Sequence, residues 1–176
     1  MIIKIKNKKL FTHCVLLLLI VGLGTSCASY SLSLAGASIP AEMKTFTVEF
    51  FENNAQIVNP ILSQNFTEAL KDRIRNQSRL SQIDQEGDAM FTGAVTGYAI
   101  GQAAVGGQND QAQLNRLTIT IQVKYTDNIN QDNSFEQSFS RYQDFSGDLQ
   151  TSEATMNTAI INMLTEDIFN RAFANW

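Results

Sequence analysis

The chain has 176 residues, 13 Lys and Arg against 17 Asp and Glu, a formal net charge of −4, two Cys and a single His. An acidic chain does not track phosphate backbones, which need clustered cations, so a nucleic-acid partner is excluded. The histidine is His13 and the cysteines are Cys14 and Cys27. Beyond Cys27 there is therefore no imidazole triad, no His-bearing zinc site and no disulfide framework. Catalysis by paired carboxylates or by a Ser-Lys pair stays open on composition alone.

Met1 to Lys9 carries Lys4, Lys6, Lys8 and Lys9 without an acid, and Val15 to Leu23 is an uncharged apolar run. Its length suits the ~7–15 residues of a secretory core and falls short of the ~20 that span a bilayer. Residues 1–26 therefore read as a signal peptide. The run ends in Gly24, Thr25, Ser26 and Cys27, an arrangement that resembles the lipobox of bacterial lipoproteins, although Leu23 lies one place earlier than that pattern prefers. The resemblance implies cleavage before Cys27, a diacylglycerol on its sulfur and an acylated new amino terminus. The rival reading is cleavage nearby, with Cys27 left as a free thiol. Each buried methylene adds about 0.8 kcal/mol of membrane affinity, so several acyl chains on one residue hold a domain at a bilayer. Loss of the four leader lysines leaves nine basic residues against 17 acidic ones, a formal charge of −8. Residues 27–38 read as a tether and residues 39–176 as one folded domain.

Within that domain, Lys44 to Phe51 alternates, with Phe46, Val48 and Phe50 on one side, the pattern of a half-buried strand. Asn59 as N-cap and Pro60 at the first helical position open a helix whose stripe is Leu62, Phe66, Ala69, Leu70 and Ile74. An acidic turn over Asp84 to Asp88 leads to a second strand from Ala89 to Ile100, weakened at Gly93 and Gly97, where a bulge or a close backbone approach is expected. Gly101 to Gln113 reads as a connector, and no Gly-Lys-Ser/Thr sequence turns its glycines into a phosphate loop. The clearest strand follows: Leu117, Ile119, Ile121, Val123 and Tyr125 face one way, and Thr118, Thr120, Gln122 and Lys124 the other. A polar turn over Asp127 to Asn133 precedes a fourth strand, Phe135 to Tyr142, with Phe135 and Phe139 on one face. A final helix spans about Thr151 to Ala174, capped by Thr151 or Ser152, with Glu153 near its positive end and Met156, Ile160, Met163, Leu164, Ile168 and Ala172 as its stripe. The order β-α-β-β-β-α predicts an α+β fold, a two-layer α/β sandwich with a four-stranded sheet and both helices on one face.

The polar row Thr118, Thr120, Gln122 and Lys124, with Arg116 at the same parity, is the candidate contact surface. Arg141 has the parity of Phe135 and points elsewhere. Lys71, Arg75 and Arg79 share a helical face that suits a polyanion, but Glu68 and Asp72 stand within pairing distance, so a solvated face is the simpler reading. Glu166 and Asp167, adjacent on a helix, diverge and make a poor acid/base pair. Phe169, Phe173 and Trp176 at helical spacing read as core or interface packing. No cofactor and no metal is expected.

Five stretches together, "GASIP", "NPILSQNFTEALKDRI", "LNRLTITIQVKYT", "FEQSFSRYQDF" and "LTEDIFNRAFANW", resemble the LptE-type lipoproteins of lipopolysaccharide transport. The resemblance implies a non-catalytic α/β domain held periplasm-facing at the outer membrane by its acylated Cys27. It also implies a place as a plug in the lumen of a large β-barrel, LptD, whose assembly such proteins assist, and contact with lipopolysaccharide. No local pattern assigns that contact to Arg116 or Lys124 in particular. The alternatives are a free periplasmic lipoprotein that binds a glycolipid or peptide, and a carboxylate-dependent glycan hydrolase, which needs two carboxyl groups roughly 5–10 Å apart across a cleft.

Overall fold

A computed structural model of the chain describes residues 39–57, 59–103 and 114–174. Cys27, the tether, most of the Gly101–Gln113 connector and Trp176 lie outside the described residues. The elements run β1 (Thr45–Val48), β2 (Glu52–Asn53), α1 (Leu62–Gln77), β3 (Ser81–Gln82), β4 (Ala89–Gln102), β5 (Asn115–Asp127), β6 (Phe135–Phe145) and α2 (Leu149–Phe173). They form one six-stranded sheet in the order β3-β1-β4-β5-β6, with β2 also paired to β4. β1 and β2 run parallel to β4, and β4, β5 and β6 form an antiparallel meander. The α+β class expected from the sequence is observed, and the strand count rises from four to six because of the two-residue β2 and β3.

Both helices bury their apolar stripes against one sheet face. Leu62, Phe66, Leu70 and Ile74 of α1 join Ile160, Leu164, Ile168, Phe169 and Phe173 of α2 in a single core with Leu117, Ile119, Ile121 and Val123 of β5. The strict alternation of β5 has a simple consequence: each odd-numbered side chain from Leu117 to Tyr125 is buried, while the even ones from Thr118 to Lys124 are half-buried or exposed. Arg73 stitches the helices together, donating from Nε to Thr165 Oγ1 at 2.9 Å and from a terminal nitrogen to Asn162 O at 3.0 Å.

Three local expectations are corrected. The alternation from Lys44 does not carry through to Phe50, which is 59% exposed, whereas Phe51 is fully buried. The strand is interrupted between β1 and β2, and this turns the Phe51 ring onto Phe66 at a centroid distance of 5.0 Å while its N–H donates to Thr67 Oγ1 at 3.1 Å. Asn59 makes its capping-type bond two residues early: its Oδ1 accepts from Ile61 N at 3.1 Å, so Pro60 lies in a turn and α1 begins at Leu62. The cap of α2 is Asp148, which accepts from Gln150 N at 3.1 Å, and not Thr151 or Ser152. Gly147, at φ +81°, turns the chain out of β6 and sets that earlier start.

The two glycines of β4 act as their position in a strand suggested. The β4–β5 register shifts between Val95 and Gly97, a bulge that moves Tyr98 onto the core face. At Gly93, φ is +155° and a Cβ would lie 2.0 Å from Gln122 O and 2.8 Å from the Phe51 ring. Only a residue without a side chain lets β5 and Phe51 approach from both sides.

Candidate functional site

With both helices on one side, the other face of the meander carries no second layer among the described residues, and it is the candidate contact surface. Its centre is a ladder of hydroxyl and amide groups. Thr120 stands opposite Ser140, Gln122 opposite Ser138 and Lys124 opposite Glu136. Thr120 Oγ1 and Ser140 Oγ lie 3.0 Å apart, and Ser138 donates to Gln122 Oε1. Gln122 in turn donates from Nε2 to Glu136 Oε1 at 3.2 Å. On the β4 side the face is made of small groups, with Ala94 opposite Gln122, Gly97 opposite Thr120 and Ala99 opposite Thr118. The result is a low, hydrogen-bonded surface without a large apolar patch.

All five sequence-predicted contact residues lie on this face, but their chemistry differs. Thr118, Thr120 and Gln122 are half-buried and Lys124 is exposed. Arg116 is committed within the molecule: its Nε and a terminal nitrogen donate to the two Asp144 oxygens at 2.6 and 2.9 Å, and its guanidinium sits 3.7 Å from the Tyr142 ring centroid. Hydrogen bonding within the pair raises the Arg116 pKa above its ordinary value and lowers that of Asp144. Arg116 thus stiffens the β5–β6 ladder, and among the described residues Lys124, opposite Glu136, is the cation of this face that makes no ion pair.

The other cations follow their bland readings. Lys71 pairs with Glu68 at 2.9 Å and Arg75 with Asp72, each one helical turn apart. Arg79 donates to the carbonyl oxygens of Ile39 and Pro40 at 2.9 and 2.8 Å and fastens the entering chain beneath α1. Arg141 reaches the helix side, as its parity required, and binds both Asp167 oxygens at 2.6 and 2.7 Å. Asp167 is therefore a strap between β6 and α2.

Sequence reasoning missed the contribution of β6 to the face, although Glu136, Ser138, Ser140, Tyr142 and Asp144 alternate with the core-facing row and carried the signal. It also missed a polar knot among the amino-terminal ends of the helices. Glu153 Oε1 accepts from Tyr98 Oη at 2.6 Å and from Asn59 Nδ2 at 2.8 Å, so one carboxylate ties β4, α1 and α2. Burial first, and the Glu153 carboxylate second, push the Tyr98 phenol up to about 12. At the opposite end, Asp127 is almost fully buried and accepts from Ile129 N, Asn130 N and Asn133 Nδ2, which fixes the turn between β5 and β6. Beside that turn opens a polar cavity of about 330 Å³, walled by Pro40, Met43, Asp127, Asn133 and Arg171.

Among the described residues no group of three or more His, Cys, Asp or Glu side chains converges on one point, and no helix is long and apolar enough to cross a membrane. The pairings just described engage Arg75, Arg79, Arg116, Arg141, Asp127, Asp144, Glu153 and Asp167 in holding the fold. The fold is an α+β layer pair with one hydroxyl-rich sheet face that no second layer covers among the described residues.

Solved structures share this architecture. A minor lipoprotein from Acinetobacter baumannii is 11% identical, with 73% of this chain and 91% of that one covered at a TM-score of 0.50. The hypothetical protein CT253 from Chlamydia trachomatis is 9% identical over 76% of this chain and 99% of its own, at 0.52. A putative neuraminyllactose-binding hemagglutinin homolog from Helicobacter pylori is 8% identical over 77% and 86%, at 0.51. At such identities the likeness is one of fold. No curated protein matches the sequence. The family LptE, described as lipopolysaccharide-assembly, matches residues 43–172. The chain belongs to that family, and with it to the proteins of lipopolysaccharide assembly.

Proposed function

We propose that this protein is the accessory plug of an LptD-type β-barrel: a lipoprotein anchored through Cys27 to the periplasmic side of the outer membrane, filling the barrel lumen and assisting its assembly. The observation that carries the reading is the bare sheet face. Barrel interiors are polar and water-lined, and a plug must meet them with neutral hydrogen-bonding groups; the Thr118, Thr120, Gln122, Ser138 and Ser140 surface has that character. Residues 1–26 serve as the signal peptide and residues 27–38 as the tether between lipid and domain. The reading involves no catalytic step, and Asp127, Asp144, Asp148 and Glu153 serve as turn, strap, cap and tie within the fold.

Lipopolysaccharide contact, on this account, is made by shape and hydroxyl groups more than by charge, because Arg116 already has a carboxylate partner and Lys124 stands alone on the face. The test is site-specific photocrosslinking in cells from Thr120 and Gln122. Adducts to a protein of barrel mass support the plug. Adducts to glycolipid or peptide alone, combined with no copurifying barrel, would replace it with a free periplasmic binding module, whose site would be the cavity beside Asn133 and Arg171.

A further inference from the structure

The sheet has two very unequal edges. One is closed by the two-residue β3 beside the four-residue β1. The other is β6, 11 residues long, paired to β5 without a register break from Phe135 to Phe145 and, among the described residues, with no strand on its far side. Proteins usually blunt a long edge with proline, a bulge or unpaired lysines. β6 contains no proline, no bulge and no lysine, and two of its three charged side chains, Arg141 and Asp144, are tied back to Asp167 and Arg116. What remains is a regular row of backbone donors and acceptors.

We propose that this edge pairs with the β6 edge of a second copy of the chain, antiparallel about a two-fold axis at Phe139. Side-chain parity allows only registers that keep the polar row with the polar row. An axis at Ser140 sets Glu136 against Asp144 and Phe139 against Arg141, and an axis at Ser138 sets Phe139 against Gln137 and Arg141 against Phe135. The axis at Phe139 opposes Ser138 to Ser140, Phe139 to itself and Gln137 to Arg141, with no like charges facing. It also brings two further pairs together across the axis.

On the polar face, Glu136 of one copy stands opposite Tyr142 of the other, where the Arg116 guanidinium lies against the ring, so a carboxylate meets a cation–aromatic stack. On the helix side, the half-buried Phe135 stands opposite Gln143. Gln143 lines a groove of about 380 Å³ between β6 and α2, walled by Phe145, Thr155, Met156 and Ala159. Thr155 and Ala159 keep that groove open beside the edge, so the exposed rim of Phe135, whose ring packs on Tyr125 at 5.3 Å and under Arg171 at 4.4 Å in its own chain, meets the groove twice across the two-fold axis. The edge and the groove are thus one self-complementary surface. A closed barrel has no strand edge to offer β6, so the pairing belongs to the protein outside the barrel and is independent of the plug reading.

The test is sedimentation velocity of the full mature protein in a non-ionic detergent, over a hundredfold concentration range. A reversible dimer is expected. The double substitution Ser138→Lys, Ser140→Lys, which sets lysine against lysine in this register, is expected to raise the dimer dissociation constant at least about a hundredfold. Ala159→Arg, which fills the groove without touching the edge, is expected to weaken it at least about tenfold. Far-ultraviolet circular dichroism checks that each variant folds. A monomer at every concentration, or a dimer unmoved by both variants, would overturn the proposal. Copurification of a barrel with Ala159→Arg, which lies on the helix side and away from the polar face, at the wild-type ratio, keeps the fate of this dimer separate from that of the plug.

Discussion

Gly93→Ala should be among the most damaging single-methyl additions in the domain. The added Cβ would lie 2.0 Å from Gln122 O and 2.8 Å from the Phe51 ring, at a backbone φ of +155°. The carbonyl is part of the β4–β5 ladder, and the ring is packed edge-on against Phe66, so neither neighbour yields cheaply. Overpacking of a closed core costs about 1–3 kcal/mol and an L-residue held at such a φ about 1–3 more, for a total of about 2–6 kcal/mol. For a domain of this size that corresponds to a fall in melting temperature on the order of 10–20 °C. Thermal unfolding followed by circular dichroism reads it directly. Gly101→Ala is the matched control, because nothing lies within 4 Å of its added methyl group, and it should melt within about 2 °C of wild type. A Gly93→Ala protein melting that close to wild type would refute the argument that this glycine is required by the approach of β5 and Phe51.

Thr67→Val should cost about 1–3 kcal/mol in a denaturant titration, because the buried Phe51 N–H loses its acceptor at 3.1 Å; an unchanged midpoint would contradict that. Tyr98→Phe should cost about 1–2 kcal/mol by removing the phenol that donates to Glu153. In the wild type, burial and Glu153 raise the folded phenol to about 12 from 10; its contribution is therefore present below pH 10 and lost as pH rises through about 12, with Tyr98 ionising late in an ultraviolet absorbance titration. Asp88 accepts from the N–H groups of Lys44 and Thr45 at 2.8 and 3.0 Å, and these bonds lower its folded pKa. Its contribution is thus present above the unfolded carboxylate value and lost as pH falls through the folded one. Asp88→Asn should melt below wild type at pH 6–7, with the gap closing below pH of about 4; a gap that widens in acid would be evidence against it.

Much of this architecture is written in periodicity. β5 alternates without exception from Arg116 to Tyr125, so its core face, its contact face and the side of the sheet that takes both helices all follow from one stretch. The stripes of α1 and α2 were equally plain, because burial on a helix repeats at fixed spacing. Departures occur where a tertiary contact overrides the local pattern. Phe50 and Phe51 are chemically alike, and the strand break after β1, the Thr67 acceptor, the Phe66 ring and the space at Gly93 together bury Phe51 and leave Phe50 out. Asp148, and not Thr151 or Ser152, caps α2 because Gly147 sets where the chain turns. The contact face was legible in parity but not in charge: the sequence places Arg116 beside Thr118 and Lys124, and only the β5–β6 register reveals that Asp144 stands opposite and takes it. The Tyr98–Glu153–Asn59 knot joins residues as far as 94 apart in the chain, a separation that no local pattern encodes.

If the bare, hydroxyl-rich sheet face seats this protein inside a β-barrel, the two should leave the membrane together. The most direct test is to extract the tagged protein from membranes in mild detergent and weigh what comes with it, before and after Thr120→Arg, Gln122→Arg on that face. Wild type should bring down a single large barrel protein in near-equal amount, and a doubly substituted variant that still folds should lose it. A wild-type protein that leaves the membrane alone, or a barrel that stays bound when the face carries two arginines, would contradict that seating.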